Sequence, residues 1–307
     1  MKVIVIVPTR NAGFFWKSWC QSIKQQKGVD ISVCNIDSSS KDSTIDVSQI
    51  FDFHTKVISP ADFNHGGTRN CAFEKWHDNR DVVIFLTQDS LLYTPNSIEN
   101  LLYLFKDLDV AAVCGRQLPH DDANPLAKHA RLFNYPSSTR VMSKSDIEKY
   151  GIKTAFVSNS FTAYRASVFK ELGGFPEDVI LSEDMHLAAR IILAGYKVAY
   201  AGNACVKHSH NYTPWQEFKR YFDIGVFHAT ESWIQQEFGG AGGEGKRFII
   251  SEFKYLIKNA PLWIPRACIT NLCKIIGYKL GKNFKKIPKY LRPKLSMHKA
   301  YWSQKVR

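Results

Sequence analysis

The chain has 307 residues, 45% hydrophobic and 13% aromatic, enough for one large core or one and a half ordinary ones, which excludes a disordered or fibrous protein. Its seven cysteines are odd in number, form no CxxC pair and lie mostly inside apolar runs, which argues against a disulfide-stapled secreted domain and for buried thiols in a reducing compartment. The formal net charge of +13 is uneven: residues 246–307 hold 16 Lys and Arg against a single acid, Glu252, and the rest of the chain is nearly neutral.

Lys2 to Val7 is a short β-branched run ending at Pro8-Thr9-Arg10-Asn11, which reads as a central strand followed by a loop. The run is too short for a signal peptide, and no stretch reaches the roughly 18 apolar residues of a membrane span. The expectation is therefore a cytosolic protein, or one lying on a membrane from the cytosolic side. Phe14 to Gln26 reads as a helix with Phe15, Trp19 and Ile23 on one face. Ile31 to Ile36 is a second strand ending on Asp37, and Ser38 to Thr44 suits a helix N-terminus. Lys56 to Ile58 is a weak third strand. In Phe63-Asn64-His65-Gly66-Gly67-Thr68-Arg69-Asn70 the paired glycines allow either close backbone approach to a ligand or an ordinary tight turn, and Arg69 is suited to a phosphate.

Val82 to Leu86 reads as a strand buried on both faces, and it stops in Thr87-Gln88-Asp89-Ser90, whose only charge is Asp89. A lone carboxylate there either holds a divalent cation, and through it a diphosphate, or caps a helix expected at Asn96 to Leu108. Ala111 to Gly115 is a further strand. Alternating strands and helices of this length predict an α/β fold with a parallel, doubly wound sheet. Asn11, Asp37 and Asp89 all fall at carboxyl ends of strands, where open α/β sheets bind ligands.

Pro8 to Asn11, the D-x-x-S-x-D-x-T segment Asp37 to Thr44, and Thr87-Gln88-Asp89 in the place of D-x-D together resemble the family 2 glycosyltransferases of the GT-A fold, over about the first 230 residues. Phe63 to Asn70 and Leu86 to Ser90 are most similar to bacterial rhamnosyltransferases that use dTDP-L-rhamnose. The resemblance implies a Rossmann-like, mainly parallel sheet flanked by helices. It implies that Thr9, Asn11 and Asp37 line the base and ribose. It places His65, Gly66, Arg69, Gln88 and Arg116 in the nucleotide and sugar site, with Arg69 beside the diphosphate, and makes Asp89 a ligand of Mg²⁺ or Mn²⁺. The chain departs from the family pattern at Thr87, which stands where the first acid of D-x-D belongs.

In the second half, Arg116 ends a strand, and the polar segment to about Ser138 reads as an irregular loop over the sugar. Thr154 to Asn159 reads as strand and Ala163 to Leu172 as helix, stopped at Gly173-Gly174. Leu181-Ser182-Glu183-Asp184-Met185 opens a helix to Ala194. Locally, Ser182 reads as an N-cap with Glu183 and Asp184 favoured by the helix dipole. By resemblance the pair is the family's E-D motif, with Asp184 deprotonating an acceptor hydroxyl and Glu183 orienting acceptor or sugar. His208 and His210 share one side of an extended segment; they are either ordinary hydrogen-bonded histidines or metal ligands with Asp89, His208 being the first choice by resemblance and His210 the second. Pro214 to Phe238 reads as a helix with a core-facing stripe. Gly239 to Gly245 marks a boundary, giving a catalytic domain 1–238 (nucleotide half about 1–115, acceptor half about 116–238), a Gly-rich linker 239–245 and a basic amphipathic helical region 246–307. That last region fits an anionic membrane surface, or a helix packed on the catalytic domain with a solvated basic face.

The resemblance implies an inverting, metal-assisted rhamnosyltransferase acting on a lipid-linked or growing O-antigen or capsule glycan at the cytoplasmic face of the inner membrane. A UDP-sugar or another dTDP-sugar is the alternative donor. A nucleotidyltransferase would need a Gly-rich basic loop after the first strand, which Pro8 to Gly13 does not offer. A nucleic-acid-binding protein would account for the pI near 9.3, but the basic residues are interleaved with aliphatic ones rather than with aromatic stacking platforms, so no nucleic-acid partner is expected.

Overall fold

The computed structural model describes residues 1–240 and 243–304. Nine strands form one sheet in the order β3-β2-β1-β4-β8-β6-β9-β5, with β7 also paired to β9. The strands are β1 (Lys2–Thr9), β2 (Asp30–Asp37), β3 (His54–Val57), β4 (Val82–Leu86), β5 (Leu91–Leu92), β6 (Val110–Leu118), β7 (Arg140–Met142), β8 (Phe161–Arg165) and β9 (Lys197–Lys207). Strands β1 to β4 are parallel, as is the β6–β9 pair, while β8 runs antiparallel between β4 and β6. The sheet is mainly parallel rather than wholly so.

The first half carries α1 (Phe14–Lys24), α2 (Thr44–Ile50), α3 (His65–Trp76), α4 (Ser97–Leu102) and α5 (Pro125–Asn134). The middle carries α6 (Ile147–Tyr150), α7 (Ala166–Glu171) and α8 (Glu183–Leu193), followed by α9 (Pro214–Thr230) and α10 (Ser232–Phe238). The C-terminal part holds α11 (Glu244–Asn259), α12 (Ile264–Lys282), α13 (Arg292–Leu295) and α14 (Lys299–Gln304).

Alternation along β1 sends Val3, Val5 and Val7 to one face, in a core with Trp16 and Trp19 of α1, and Ile4 and Ile6 to the other, in a core with Phe73 of α3. All of β4 is buried, because helices cover both faces of the sheet. Helix α1 turns differently from the expected face: Trp16, Trp19, Cys20 and Ile23 are buried, whereas Phe15 is exposed.

Three further expectations shift. Thr154 to Asn159 is not a strand; it runs from a 3₁₀ turn, Gly151–Ala155, into a loop, and the strand is β8, where a helix was expected to begin. Phe161 to Tyr164 are buried on both faces between β4 and β6, so no alternation marks them. The polar segment after β6 contains α5, begun by Asn124, whose side chain accepts the Ala127 N–H, with Pro125 at the first turn. The helix expected over 214–238 breaks at Glu231 into α9 and α10.

Among the cysteines, Cys20, Cys34 and Cys114 are buried, as expected of thiols in apolar runs, but Cys71 and Cys268 are exposed.

Of the expected linker, Ala241 and Gly242 lie outside the described residues, as do 305–307 at the end of the basic region. The helices after the linker lie against the domain before it. Helix α12 crosses α9 where Gly225, Gly277 and Gly281 bring the backbones together; a Cβ on Gly281 would strike the Phe222 carbonyl and one on Gly277 the Phe218 carbonyl. Helix α11 meets α5 through His129 Nε2 and Ser251 Oγ, 3.0 Å apart. Further on, the buried Asp223 of α9 accepts the Met297 and His298 N–H groups at 2.8 and 3.2 Å, fixing the segment before α14.

Candidate active site

The ends of β1, β2 and β4 gather the first set of candidate residues. Parallel pairing sets Thr9 opposite Asp37. The Thr9 hydroxyl lies 2.7 Å from both Asn35 Oδ1 and Asp37 Oδ2, and Asp37 also accepts the Ser40 N–H and hydroxyl, each at 2.7 Å. Asn11, at φ 46°, accepts the Lys41 N–H at 2.8 Å and donates its own N–H to Ser40 Oγ at 2.7 Å. Gln88 accepts the Arg10 N–H at 2.8 Å and so ties the end of β4 to that of β1. A polar shelf results, with its loops held by side chains that the sequence singled out.

Beside it, Asp89, His208 and His210 converge, their potential ligand atoms all within 4.8 Å of one another. Asp89 Oδ2 is 3.4 Å from His208 Nε2 and 3.7 Å from His210 Nε2. Residues from β4's end and β9's end meet because β9 runs beside β6 and the His208 N–H donates to the Leu118 carbonyl at 2.8 Å. Burial pushes His208 below the usual imidazole range and His210 down to about 4, so both rings are neutral near pH 7. Burial alone would raise Asp89, but the adjoining imidazoles, His208 first and His210 behind, hold it well below the usual carboxylate range. Two neutral imidazoles and one carboxylate facing one point are a donor set that fits a divalent transition-metal ion. Thr87, where the resemblance expects an acid, is paired with Ser90 Oγ at 2.8 Å. A cleft of about 400 Å³ opens here, lined by Phe15, Asp89, His120, His210 and Tyr212 among others.

The acid pair stands at the start of α8. Ser182 precedes it at φ 61°, a left-handed conformation uncommon outside glycine, and makes no side-chain cap bond, so the ordinary N-cap reading does not describe this turn. Glu183 is buried, 3.2 Å from Arg69 Nη1 and 3.1 Å from Asn159 Nδ2. Asp184 is only partly buried and accepts the Asn159 N–H at 2.9 Å and the Met185 N–H at 2.8 Å. Burial, seconded by the charge of Glu183, raises Asp184 to about 7. Glu183 goes the other way: burial would raise it, but Arg69 and then His65 outweigh that and hold it low. Adjacent carboxylates with divergent acidities are the pattern that separates a proton acceptor from a fixed charge.

Two expected ligand-facing residues are engaged within the chain. Arg69 is 4% exposed and pairs with the His65 carbonyl at 2.8 Å and with Glu183, because a buried carboxylate needs a cation. Gly66 approaches the chain itself, since a Cβ there would strike the Pro176 carbonyl. His65 lies by Arg69 and Glu183, its ring 5.0 Å from that of His298. Arg116 is separate from both groups of acids among its hydrogen bonds, donating to the Tyr135 carbonyl at 3.1 Å. Sequence reasoning missed Asn159, which serves both acids, and Gln117 and Arg131 behind His208. No local pattern marks Gln117, while Asn124-Pro125 is a helix-start signal that would have placed Arg131 on a helix.

Residues 4–173 match the family described as Glycosyl transferase family 2. The chain belongs to that family. It is a glycosyltransferase, and its sheet and flanking helices are those of the GT-A fold. It is 57% identical to the O-antigen chain rhamnosyltransferase RfbN of Salmonella typhimurium over 304 residues, which is 99% of this chain and 96% of that one. It is 56% identical to the O-antigen chain rhamnosyltransferase WbaN of Salmonella anatum, over 97% of this chain and 95% of that one. Among solved structures it resembles a mannosyltransferase from Pyrobaculum calidifontis in complex with GDP-Man and Mn²⁺, with a TM-score of 0.59 and 19% identity over 98% of this chain and 85% of that one. TarS of S. aureus, residues 1–349 in complex with UDP-GlcNAc, gives a TM-score of 0.52 at 13% identity, over 93% and 92% of the two chains.

Proposed function

We propose that this glycosyltransferase moves L-rhamnose from dTDP-L-rhamnose to a hydroxyl of a lipid-linked or growing bacterial surface glycan of the O-antigen type, by a single displacement that inverts the anomeric centre. The donor sugar and the glycan class are supported by the two Salmonella relatives. The observation that carries the chemistry is the split between Asp184, raised to about 7 and only partly buried, and Glu183, sealed against Arg69.

Asp184 takes the proton of the acceptor hydroxyl as that oxygen attacks the anomeric carbon from the face opposite the leaving dTDP. Glu183 stays ionised on Arg69 and Asn159, and its charge keeps Asp184 basic enough to act near neutral pH. Asn159 holds both carboxylates in register. Thr9, Asn11, Asp37 and Gln88 are assigned to the nucleoside, and Arg116 to the sugar side. A divalent cation, held by Asp89, His208 and His210, would supply electrostatic neutralisation of the leaving diphosphate. The nitrogen-rich donor set favours Mn²⁺ over Mg²⁺, which prefers oxygen ligands.

The C-terminal helices are assigned to the anionic cytoplasmic face of the inner membrane, with 1–238 as the catalytic domain. No helix among the described residues is long and apolar enough to cross a membrane. Leu262 is 93% exposed and Ile257 65%, with Ile269 and Leu272 also exposed, amid a strongly basic composition, which supports a peripheral contact.

The test is release of dTDP from dTDP-L-rhamnose in the presence of a lipid-linked acceptor extract, with Mn²⁺, Mg²⁺ or chelator. Cation-dependent turnover is expected, lost in Asp89→Ala and reduced about 10²- to 10⁴-fold in Asp184→Asn with donor binding retained. Turnover of UDP-sugars in its place would overturn the donor assignment, and full activity of Asp184→Asn the mechanism.

A further inference from the structure

Behind the candidate metal ligands lie two polar side chains that the reaction does not touch. Gln117, at the end of β6, is 1% exposed. Its Oε1 is 2.7 Å from Arg131 Nη1 and 2.8 Å from His208 Nδ1. Arg131 reaches it from α5, its guanidinium lying 5.5 Å from the centre of the Tyr135 ring.

We propose that Arg131 and Gln117 are positioning residues that fix His208 with its Nε2 bare and turned toward the cation site. This rests on the reading that Asp89, His208 and His210 hold a divalent cation. A guanidinium only donates hydrogen bonds, so the amide oxygen of Gln117, not its nitrogen, must face Arg131. Turning the amide over would set two donors against each other at 2.7 Å. With that oxygen fixed, the His208 Nδ1 2.8 Å away must be the nitrogen that carries the hydrogen. A neutral imidazole has one N–H, so Nε2 keeps its lone pair, and Nε2 is the atom 3.4 Å from Asp89 Oδ2.

The pair is not fully satisfied: among the described residues, Gln117 Nε2 and Arg131 Nε are buried without a hydrogen-bond partner, which is costly. What Gln117 does that an apolar residue cannot is accept from the ring N–H of His208 and Arg131 at once. Removal of such an outer partner typically costs about 10- to 100-fold in metal affinity.

The experiment is Mn²⁺ titration of the full chain, read by the loss of the free-ion electron paramagnetic resonance signal, with and without dTDP. No turnover is involved, and urea midpoints report that each variant is folded. His208→Ala should abolish binding. Gln117→Leu should weaken it about 10- to 100-fold, whereas Gln117→Glu, which keeps an acceptor in the same place, should bind as well as wild type or better. Arg131→Met should weaken binding, and the double variant Gln117→Leu/Arg131→Met should be no weaker than Gln117→Leu, because the arginine acts through the glutamine. Binding by Gln117→Leu within two-fold of wild type, while His208→Ala binds nothing, would overturn the relay and leave the cation site standing. Equal losses in Gln117→Glu and Gln117→Leu would reduce Gln117 to packing, and fully additive losses in the double variant would remove Arg131 from the chain of action. A wild type that binds no Mn²⁺ under either condition would overturn the cation site itself and the relay with it.

Discussion

Replacing Glu183 by Gln should move the pH dependence of the reaction without touching Asp184, the proposed base. In the wild type Asp184 is raised to about 7, first by burial and then by Glu183. It is then about nine-tenths ionised at pH 8 and about one-tenth at pH 6, so kcat/KM should fall about ten-fold across that interval. In Glu183→Gln the like charge is gone, and Arg69, formerly 3.2 Å from Glu183, remains as an uncompensated cation. Both changes favour the ionised form of Asp184, while burial continues to oppose it. The acid limb should therefore drop by about one to two pH units, each worth about 1.4 kcal/mol, and stop short of an ordinary carboxylate. The plateau should fall as well, because a weaker base sits in a less constrained site. Stripping a buried arginine of its partner costs about 3–5 kcal/mol, so rates are taken well below the unfolding midpoint. The assay is initial-rate dTDP release over pH 5 to 9 at saturating cation. A limb still near 7 in Glu183→Gln would show that Glu183 does not set the acidity of the base. The same limb surviving in Asp184→Asn would place the base on another residue.

Gly281→Ala should destabilise the protein by about 1–3 kcal/mol or more, since the new methyl meets the Phe222 carbonyl across the α9–α12 crossing; a urea midpoint equal to wild type would mean that the crossing is looser than described. Asp223 is pushed up to about 6, chiefly by burial, from an ordinary 3.8, so its folded form holds a proton that the unfolded chain has released. Its favourable contribution is complete below about 3.8 and is lost as pH rises through about 6. Asp223→Asn, which keeps an acceptor for the Met297 and His298 N–H groups and cannot ionise, should thus match wild type near pH 4 and exceed it at pH 8 in urea midpoint; the opposite order at pH 8 would refute the assignment.

Much of the polar cluster at the ends of β1, β2 and β4 is legible in the sequence because its residues sit at strand ends, and strand ends announce themselves where an apolar run stops: Val7 before Pro8, Ile36 before Asp37, Leu86 before Thr87. The convergence of His208 and His210 on Asp89 is legible only through resemblance, since it depends on β9 lying beside β6. Arg69 is legible as a cation in the right region but not in its partnership, because Glu183 is 114 residues away and a buried ion pair has no local signature. Strand β8 is invisible to alternation, being covered on both sides. Trp16 rather than Phe15 faces the core because α1 enters at a rotation that apolar spacing alone does not set; both residues satisfy a helical stripe. Gln117 is the hardest to read, since its importance comes from a side chain 14 residues on in a helix and another 91 residues on after a strand.

The crossing of α9 and α12 has a consequence for geometry at a bilayer. Where side chains separate two helices, the pair can slide or splay; where glycines let backbone rest on backbone, as at Gly225, Gly277 and Gly281, the pair moves as one strut. If the exposed face of the C-terminal helices rests on lipid, they are less a tether than a plinth: the height of Asp184 above the headgroups is a constant of the fold, and only acceptors whose reactive hydroxyl stands at that height can be extended.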